Sequence, residues 1–417
     1  MAGTIIKGDN FFHTTLYEGN GLGQRVGRFV PFTDSVTIGK SCIFNRENTG
    51  ANDIGSSDNP SIYRSVSSAG STRKITLSFW FKHGVISTAT TASGGTNYKV
   101  GNNLFAWNGP SASLCRLSIF GDTYGIGFQS NNTSGSHVIT KYMGNFVMND
   151  PTKWYHVVLN VDTTQSTDND KIKYYVDGQD LDDITSPSYT NYNGGTNADL
   201  IFNDSSTSFY VGDSMSAGYA FDGYMAEVNY IDGTIYGPSK FGQTDTSTGR
   251  WIPKAISSVT YGTNGCRLEF ANTANLGQDT SGNGLTLTVS AGITANSDSS
   301  IDTPSTNYAT FLDSHEGTKK TEGNLEIEIG NSNFGHNCSS LRPESGKWYA
   351  EFRCITKGRS EVGIQHTEFM PENSATARLT APTDGSLAGL MWYANDGKLL
   401  KDSSNNNDLT LNTYDAN

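Results

Sequence analysis

Between Trp154 and Val176 the chain alternates with a period of two residues. Tyr155, Val157, Leu159 and Val161 fall on one side of an extended backbone, opposite Trp154, His156, Asn160 and Asp162. Ile172, Tyr174 and Val176 then alternate with Lys171, Lys173, Tyr175 and Asp177 in the same way. That period cannot build an amphipathic helix, so each run reads as a half-buried strand. The signal recurs in ITLSFWF (75–81), LCRLSIF (114–120), SFYVG (208–212) and YMAEVNYID (224–232), and no segment carries a convincing 3.6-residue period. Asp177-Gly178 is a dipeptide that tolerates positive φ in a type I′ turn, which makes the local pattern a meander. Short strands at steady spacing, joined by Gly-, Ser- and Asn-rich turns, predict an all-β protein with an antiparallel β-sandwich.

Composition agrees with a turn-rich β protein. Charged residues make up 17% of the 417 residues, with 46 glycines, against roughly 25% charged in ordinary soluble proteins. The net charge of -12, without a Lys/Arg cluster to offset it, excludes nucleic acid as a partner. No apolar run approaches the roughly 20 residues of a membrane span, so no membrane insertion is expected. MAGTIIKGDNFF lacks the apolar core of a signal peptide, which predicts a product made in a cytoplasm. Cys42, Cys115, Cys266, Cys338 and Cys354 form no CxxC pair and read as free, mostly buried thiols rather than metal ligands. A sparsely charged surface without an export signal fits assembly inside a cell that later lyses, as virus particles do.

The text divides into four parts. Residues 1–35, with GNGLGQRVG and scattered Phe11, Phe12 and Phe29, read as an extended N-terminal arm for attachment or oligomer contact. Residues 36–240 carry the sandwich. Residues 241–320 thin to isolated strands such as GCRLEF and LTLTV in Asp/Thr/Ser-rich text and read as a connector with little core. Alternation returns at Leu325, Ile327 and Ile329, and at Trp348, Ala350, Phe352 and Cys354, which predicts a second, smaller β-domain over 321–417.

The strings TLSFWFK, KWYHVVLNVDTTQS, IKYYVDG and FDGYMAEVNYIDG resemble laminin-G-like, concanavalin-A-like jelly-roll modules found in structural and tail-fibre proteins of marine bacteriophages. FGQTDTSTGRWIPK, YGTNGCRLEF, DTSGNGLTLT and DTPSTNYATF are similar to the segment that follows such a module in those proteins. SGKWYAEFRC with EVGI resembles the opening of a SPRY domain. That domain usually runs well past the point matching LMWYANDGKLL, so an end at Asn417 implies a shortened module or one completed by another subunit. The likeness covers the chain from about Ser41 onward. It implies a non-enzymatic virion structural protein on the tail or capsid surface, whose arm meets other virion proteins. It also implies a homo-oligomer, a trimer by family, and a host-surface glycan or protein as receptor.

Several candidate sites deserve weighing against plainer roles. Glu227 to Asp232, EVNYID, resembles the carboxylate strand of laminarinase-type glycoside hydrolases, which hold a nucleophile and an acid about 5 to 5.5 Å apart. Here Asn229 takes the central acidic place and Asp232 that of a Glu, so no catalytic residue is assigned and the strand reads as structural. TTQSTDNDK and VDGQDLDD lack EF-hand spacing. Their plain reading is a solvated bend, with no metal ligands assigned and structural calcium from several loops as the alternative. Tyr189 and Tyr192 in SPSYTNYNGG, then Trp107 in LFAWNGP, are the aromatic residues read as carbohydrate-binding, because loop rings offer flat apolar faces with a polar tip. Packing over the sandwich edge is the plainer role for them. His156 and His137 are isolated, and Gly125 and Gly127 precede no helix, so neither a general base nor a phosphate loop is expected.

Overall fold

The computed structural model describes residues 36–44, 60–84, 102–109, 114–119, 125–150, 152–213 and 220–312, and short strands at 318–321, 326–329, 338–339, 361–365, 389–393 and 398–401. The arm at 1–35 and the run Trp348–Cys354 lie outside the described residues. The chain divides into one unit of Met1–Leu312 with Thr321–Glu326, and a second of Asp313–Lys320 with Ile327–Asn417. Among its described residues the second unit holds an antiparallel sheet of Glu361–Gln365, Gly389–Tyr393 and Lys398–Lys401.

Among its described residues the first unit contains strands β1 to β18. They are β1 (Ser41–Phe44), β2 (Ile62–Ser65), β3 (Lys74–His83), β4 (Asn102–Asn108), β5 (Leu114–Ile119), β6 (Ile126–Asn131), β7 (His137–Met143), β8 (Tyr155–Asp162) and β9 (Ile172–Val176). There follow β10 (Gln179–Asp180), β11 (Tyr189–Asn191), β12 (Ser208–Val211), β13 (Gly223–Asp232), β14 (Gly242–Thr244), β15 (Trp251–Pro253), β16 (Cys266–Leu268), β17 (Thr288–Val289) and β18 (Ser299–Ser300). One sheet runs β10-β9-β8-β3-β13-β1-β18, with β16 also pairing β13; the other runs β11-β7-β6-β5-β4-β12-β2-β17. All their ladders are antiparallel. The fold is the all-β antiparallel sandwich that the alternation predicts.

The inward rings join the two sheets. Phe79 of β3 meets Phe105 of β4 edge-on at 4.7 Å, and Tyr230 of β13 stacks on Phe209 of β12 at 4.7 Å. Phe79, Phe81, Phe105, Trp107 and Phe128 are fully buried, each contributing on the order of 2 kcal/mol from apolar burial. Asp177 and Gly178 both take positive φ, 49° and 84°, as a type I′ turn requires. The ring of Trp251 lies against this turn, where a Cβ on Gly178 would come within 2.5 Å of it.

The structure corrects two expectations. β8 is buried on both faces, not half-buried, because the stretch from Thr234 to Tyr261 covers its outer side. Val158, Ile231, Phe241 and Tyr261 form a small core there, and Asn160 donates to the carbonyl of Tyr236 at 3.1 Å. The supposed connector is also not a connector as far as Leu312. β16, β17 and β18 add to both sheets, and Leu268, Phe270, Leu276, Leu287 and Ile293 enter the main core. Its strands are two or three residues long, too short for alternation to register.

Candidate functional site

β11 closes one edge of the second sheet by pairing with β7: Tyr189 stands opposite Tyr142 and Asn191 opposite Thr140. An edge strand leaves one row of backbone groups unpaired and one row of side chains accessible. Tyr189 is 50% exposed, its ring 5.6 Å from that of Tyr142. Asp168, Tyr189, Thr190, Asn191, Tyr192 and Asn193 line an open depression of about 410 Å³. The two tyrosines of SPSYTNYNGG are therefore brought to one place, with amide, hydroxyl and carboxylate groups beside them.

Tyr192 sits deeper. Its ring packs against the main core, and its hydroxyl is buried without a hydrogen-bond partner. Burial raises its phenol above the ordinary range, aided by the nearby charges of Asp182 and Asp168. An ionic network lies near it. Lys141 donates to the Ile172 carbonyl at 3.0 Å and pairs with Asp182, which also holds Lys173 at 2.9 Å. Tyr174 donates its hydroxyl to the carbonyl of Lys141 at 2.7 Å. This ties β7 to β9.

Trp107 is a correction: it is not displayed on a loop. It lies within β4, fully buried, its ring 5.3 Å from Phe209 and 5.7 Å from Tyr230. Alternation from Phe105 carries it to the inner face, which the neighbouring Asn-Gly-Pro obscured.

The carboxylates of EVNYID do not converge. Glu227 occupies a bulge in β13, where the register against β3 shifts between Ala226 and Asn229, and its φ is 50°. Its carboxylate receives Arg267 Nε at 2.6 Å. Burial pushes this carboxyl up, and Arg267 acts against that shift. Asn229 accepts from the Tyr261 hydroxyl at 2.6 Å. Asp232 accepts from the backbone N–H groups of Ser71 at 2.7 Å and Asn264 at 3.0 Å, and from Asn203 Nδ2 at 3.0 Å. All three side chains are committed to structure: Glu227 to its neighbour strand β16, and Asn229 and Asp232 to the loops beside β13.

The acidic loops turn on themselves. Asp162, Asp204, Asp245 and Asp279 each accept from the backbone N–H two residues on, that of Thr164, Ser206, Ser247 and Ser281. DTTQSTDND is thus a bend, closed by Asp162 and a short 3-10 turn at Asp168–Asp170. Among the described residues no group of three His, Cys, Asp or Glu side chains could hold a metal ion. Cys42, Cys115 and Cys266 are free and buried, and burial pushes the Cys266 thiol up to about 12.

His156 is a core group rather than a base. Its Nδ1 accepts from Trp251 Nε1 at 2.9 Å, so Nε2 carries the proton and donates to Ser78 Oγ at 3.0 Å. Burial lowers its pKa to about 3.

One polar cluster went unseen in the sequence. Lys82 of β3, with no exposed side-chain surface, meets Asp302, Asn307 and the carbonyl of Tyr308. Partners 220 residues apart leave no local pattern. The only signal was a lysine continuing the outer row Thr76, Ser78, Trp80.

No protein-family model and no curated protein matches the chain. Among solved structures it is similar to a native heptameric SAP-like pentraxin from Limulus polyphemus, at 13% identity and a TM-score of 0.30 over 48% of this chain and 80% of that one. It is also similar to domains LG4-5 of the mouse laminin alpha1 chain, at 11% identity and a TM-score of 0.29 over 57% of this chain and 49% of that one. A third similarity is to domain 4 of a GH43 extracellular arabinanase from Geobacillus stearothermophilus, at 14% identity and a TM-score of 0.29 over 47% of this chain and 84% of that one.

Proposed function

We propose that this protein is a non-enzymatic bacteriophage structural protein, carried on the tail or capsid surface, whose sandwich binds host-surface glycan through the Tyr189 edge. The observation that carries the binding part is the half-exposed ring of Tyr189, set beside Thr190, Asn191 and Asn193 on an open depression. An aromatic face flanked by hydroxyl and amide groups complements a sugar ring, whose C–H face stacks while its hydroxyls hydrogen-bond. The shallow shape favours one face of a chain end rather than an engulfed small molecule. The virion assignment rests on the order of the TLSFWFK, KWYHVVLN, IKYYVDG and FDGYMAEVNYIDG strings and their resemblance to phage proteins. Arm-mediated attachment, the SPRY-like module and trimeric assembly belong to the same proposal.

The test is glycan-array binding of the intact protein beside Tyr189→Ala. Removing one stacking ring is expected to weaken binding about tenfold, roughly 1.4 kcal/mol, with melting unchanged because the ring is half in solvent. Equal binding by both proteins would overturn the site. Antibody labelling of purified particles that marks neither tail nor capsid would overturn the virion role.

A further inference from the structure

Lys82, Asp302 and Asn307 place an amine, a carboxyl and a primary amide around one nitrogen. Lys82 Nζ lies 2.7 Å from Asp302 Oδ2 and 2.9 Å from Asn307 Oδ1. Lys82 and Asp302 have no exposed side-chain surface, while Asn307 is half-buried and so stands where a small leaving group can escape. The surroundings are aromatic. The Tyr224 ring centroid is 5.8 Å from Nζ, and Trp154 and Trp80 belong to the same small core. Every partner of Asp302 holds it in place: Trp154 Nε1 donates to Oδ1 at 2.9 Å, and the backbone N–H of Tyr308 reaches the same oxygen at 3.3 Å. Asn307 is oriented through its Nδ2, which donates to the Thr152 carbonyl at 2.7 Å.

We propose that this cluster is a self-modification site, in which Lys82 and Asn307 join in an isopeptide bond with Asp302 as the acid–base residue. A buried amine beside a buried carboxylate loses its advantage as an ion pair, because removing both charges from water is costly. Proton transfer from Lys82 to Asp302 gives the neutral forms, and a desolvated neutral lysine is a competent nucleophile. Burial lowers the Lys82 amine and raises the Asp302 carboxyl, both toward that neutral pair.

The step balances without oxidant, reductant or metal. The Nζ lone pair attacks Asn307 Cγ while protonated Asp302 gives its proton to the amide oxygen. Asp302 then takes a proton from Nζ and delivers it to Nδ2. The Cγ–Nδ2 bond breaks, the carbonyl re-forms, and the nitrogen departs as ammonia, which picks up the remaining proton in water. Holding amine and amide in contact replaces an encounter between separate molecules, which is how positioning alone accelerates such reactions. The product ties β3 to the segment that leaves the sandwich after β18.

Intact-mass spectrometry of the full chain decides the matter. The expected mass is that of the sequence less one ammonia, and a tryptic digest should contain residues 75–99 joined to residues 268–319, uncut at Lys82. Asn307→Asp should reach the same final mass by losing water instead, and Asn307→Ser should keep the full sequence mass while remaining folded by circular dichroism. Asp302→Asn should keep full mass as well. The wild-type measurement stands without it should that variant fail to fold. A wild-type protein of full sequence mass would overturn the proposal. So would loss of water with Lys82 joined to Asp302, which would make the carboxyl the substrate.

Discussion

His156 shows how one side chain can lose its chemistry to its surroundings. Its pKa of about 3 lies below the ordinary 6.5, so the folded state favours the neutral ring. The stability this represents is complete above pH 6.5 and is lost as pH falls through that value toward 3, since the unfolded chain binds the proton first. His83, buried with its Nε2 on the Met148 carbonyl at 2.7 Å and its pKa lowered to about 4, acts in the same direction. Each contributes a slope of about 1.4 kcal/mol per pH unit below that window's upper edge. His156→Gln, whatever its own stability, is therefore expected to show a shallower fall between about pH 5.5 and 4, by roughly that amount for one histidine. Urea unfolding at several pH values measures it, and parallel lines for the two proteins would refute it. From the sequence His156 reads as isolated on one side of a half-buried strand, whereas both ring nitrogens have partners in the fold. Trp251, its partner, lies 95 residues away on the covering segment.

Among the elements, β13 was legible as a strand and illegible in detail. Alternation located Tyr224 to Asp232, yet the bulge at Glu227 left no mark, because nothing in a single-letter string reports a positive φ on a non-glycine residue. The same bulge separates this strand from the carboxylate strand it resembles: Glu227 pairs with Arg267 there. Left-handed backbone costs a non-glycine residue about 1 to 2 kcal/mol. Glu227→Ala and Glu227→Gly both remove the Arg267 pair, but only glycine relieves the backbone. Glu227→Gly should therefore be the more stable of the two by about 1 kcal/mol in equilibrium denaturation. An alanine variant equal to or better than the glycine variant would show that the bulge is not held in that conformation. Trp107 was misplaced for a related reason. A turn-like Asn-Gly-Pro follows it directly, and turn chemistry outweighed a strand whose last residues it borders.

For the whole molecule, the long strands were readable and the closing ones were not. The central ladders rest on alternation over eight to ten residues, whereas β16 to β18 owe their existence to neighbours already in place. A fragment ending at residue 240 would lack those strands and the cover over β8, exposing Leu268's side of the core and the outer faces of β3 and β13. It is expected to aggregate or to melt without a cooperative transition, while a fragment of residues 36–312 melts cooperatively. Comparable transitions for the two fragments, by circular dichroism and calorimetry, would mean that the later strands are ornaments. The pairing of Ser41 with Ser300 has a mechanical side as well. The chain enters the sandwich and leaves it on adjacent antiparallel strands, so tension applied through both flanks would peel that pair apart one rung at a time, the weakest way to load a sheet. A bond from Lys82 to Asn307, beyond the exit, would divert the pull onto β3, which is gripped on both sides by β8 and β13. There the strain would be shared along the ladder instead of meeting it at a single rung.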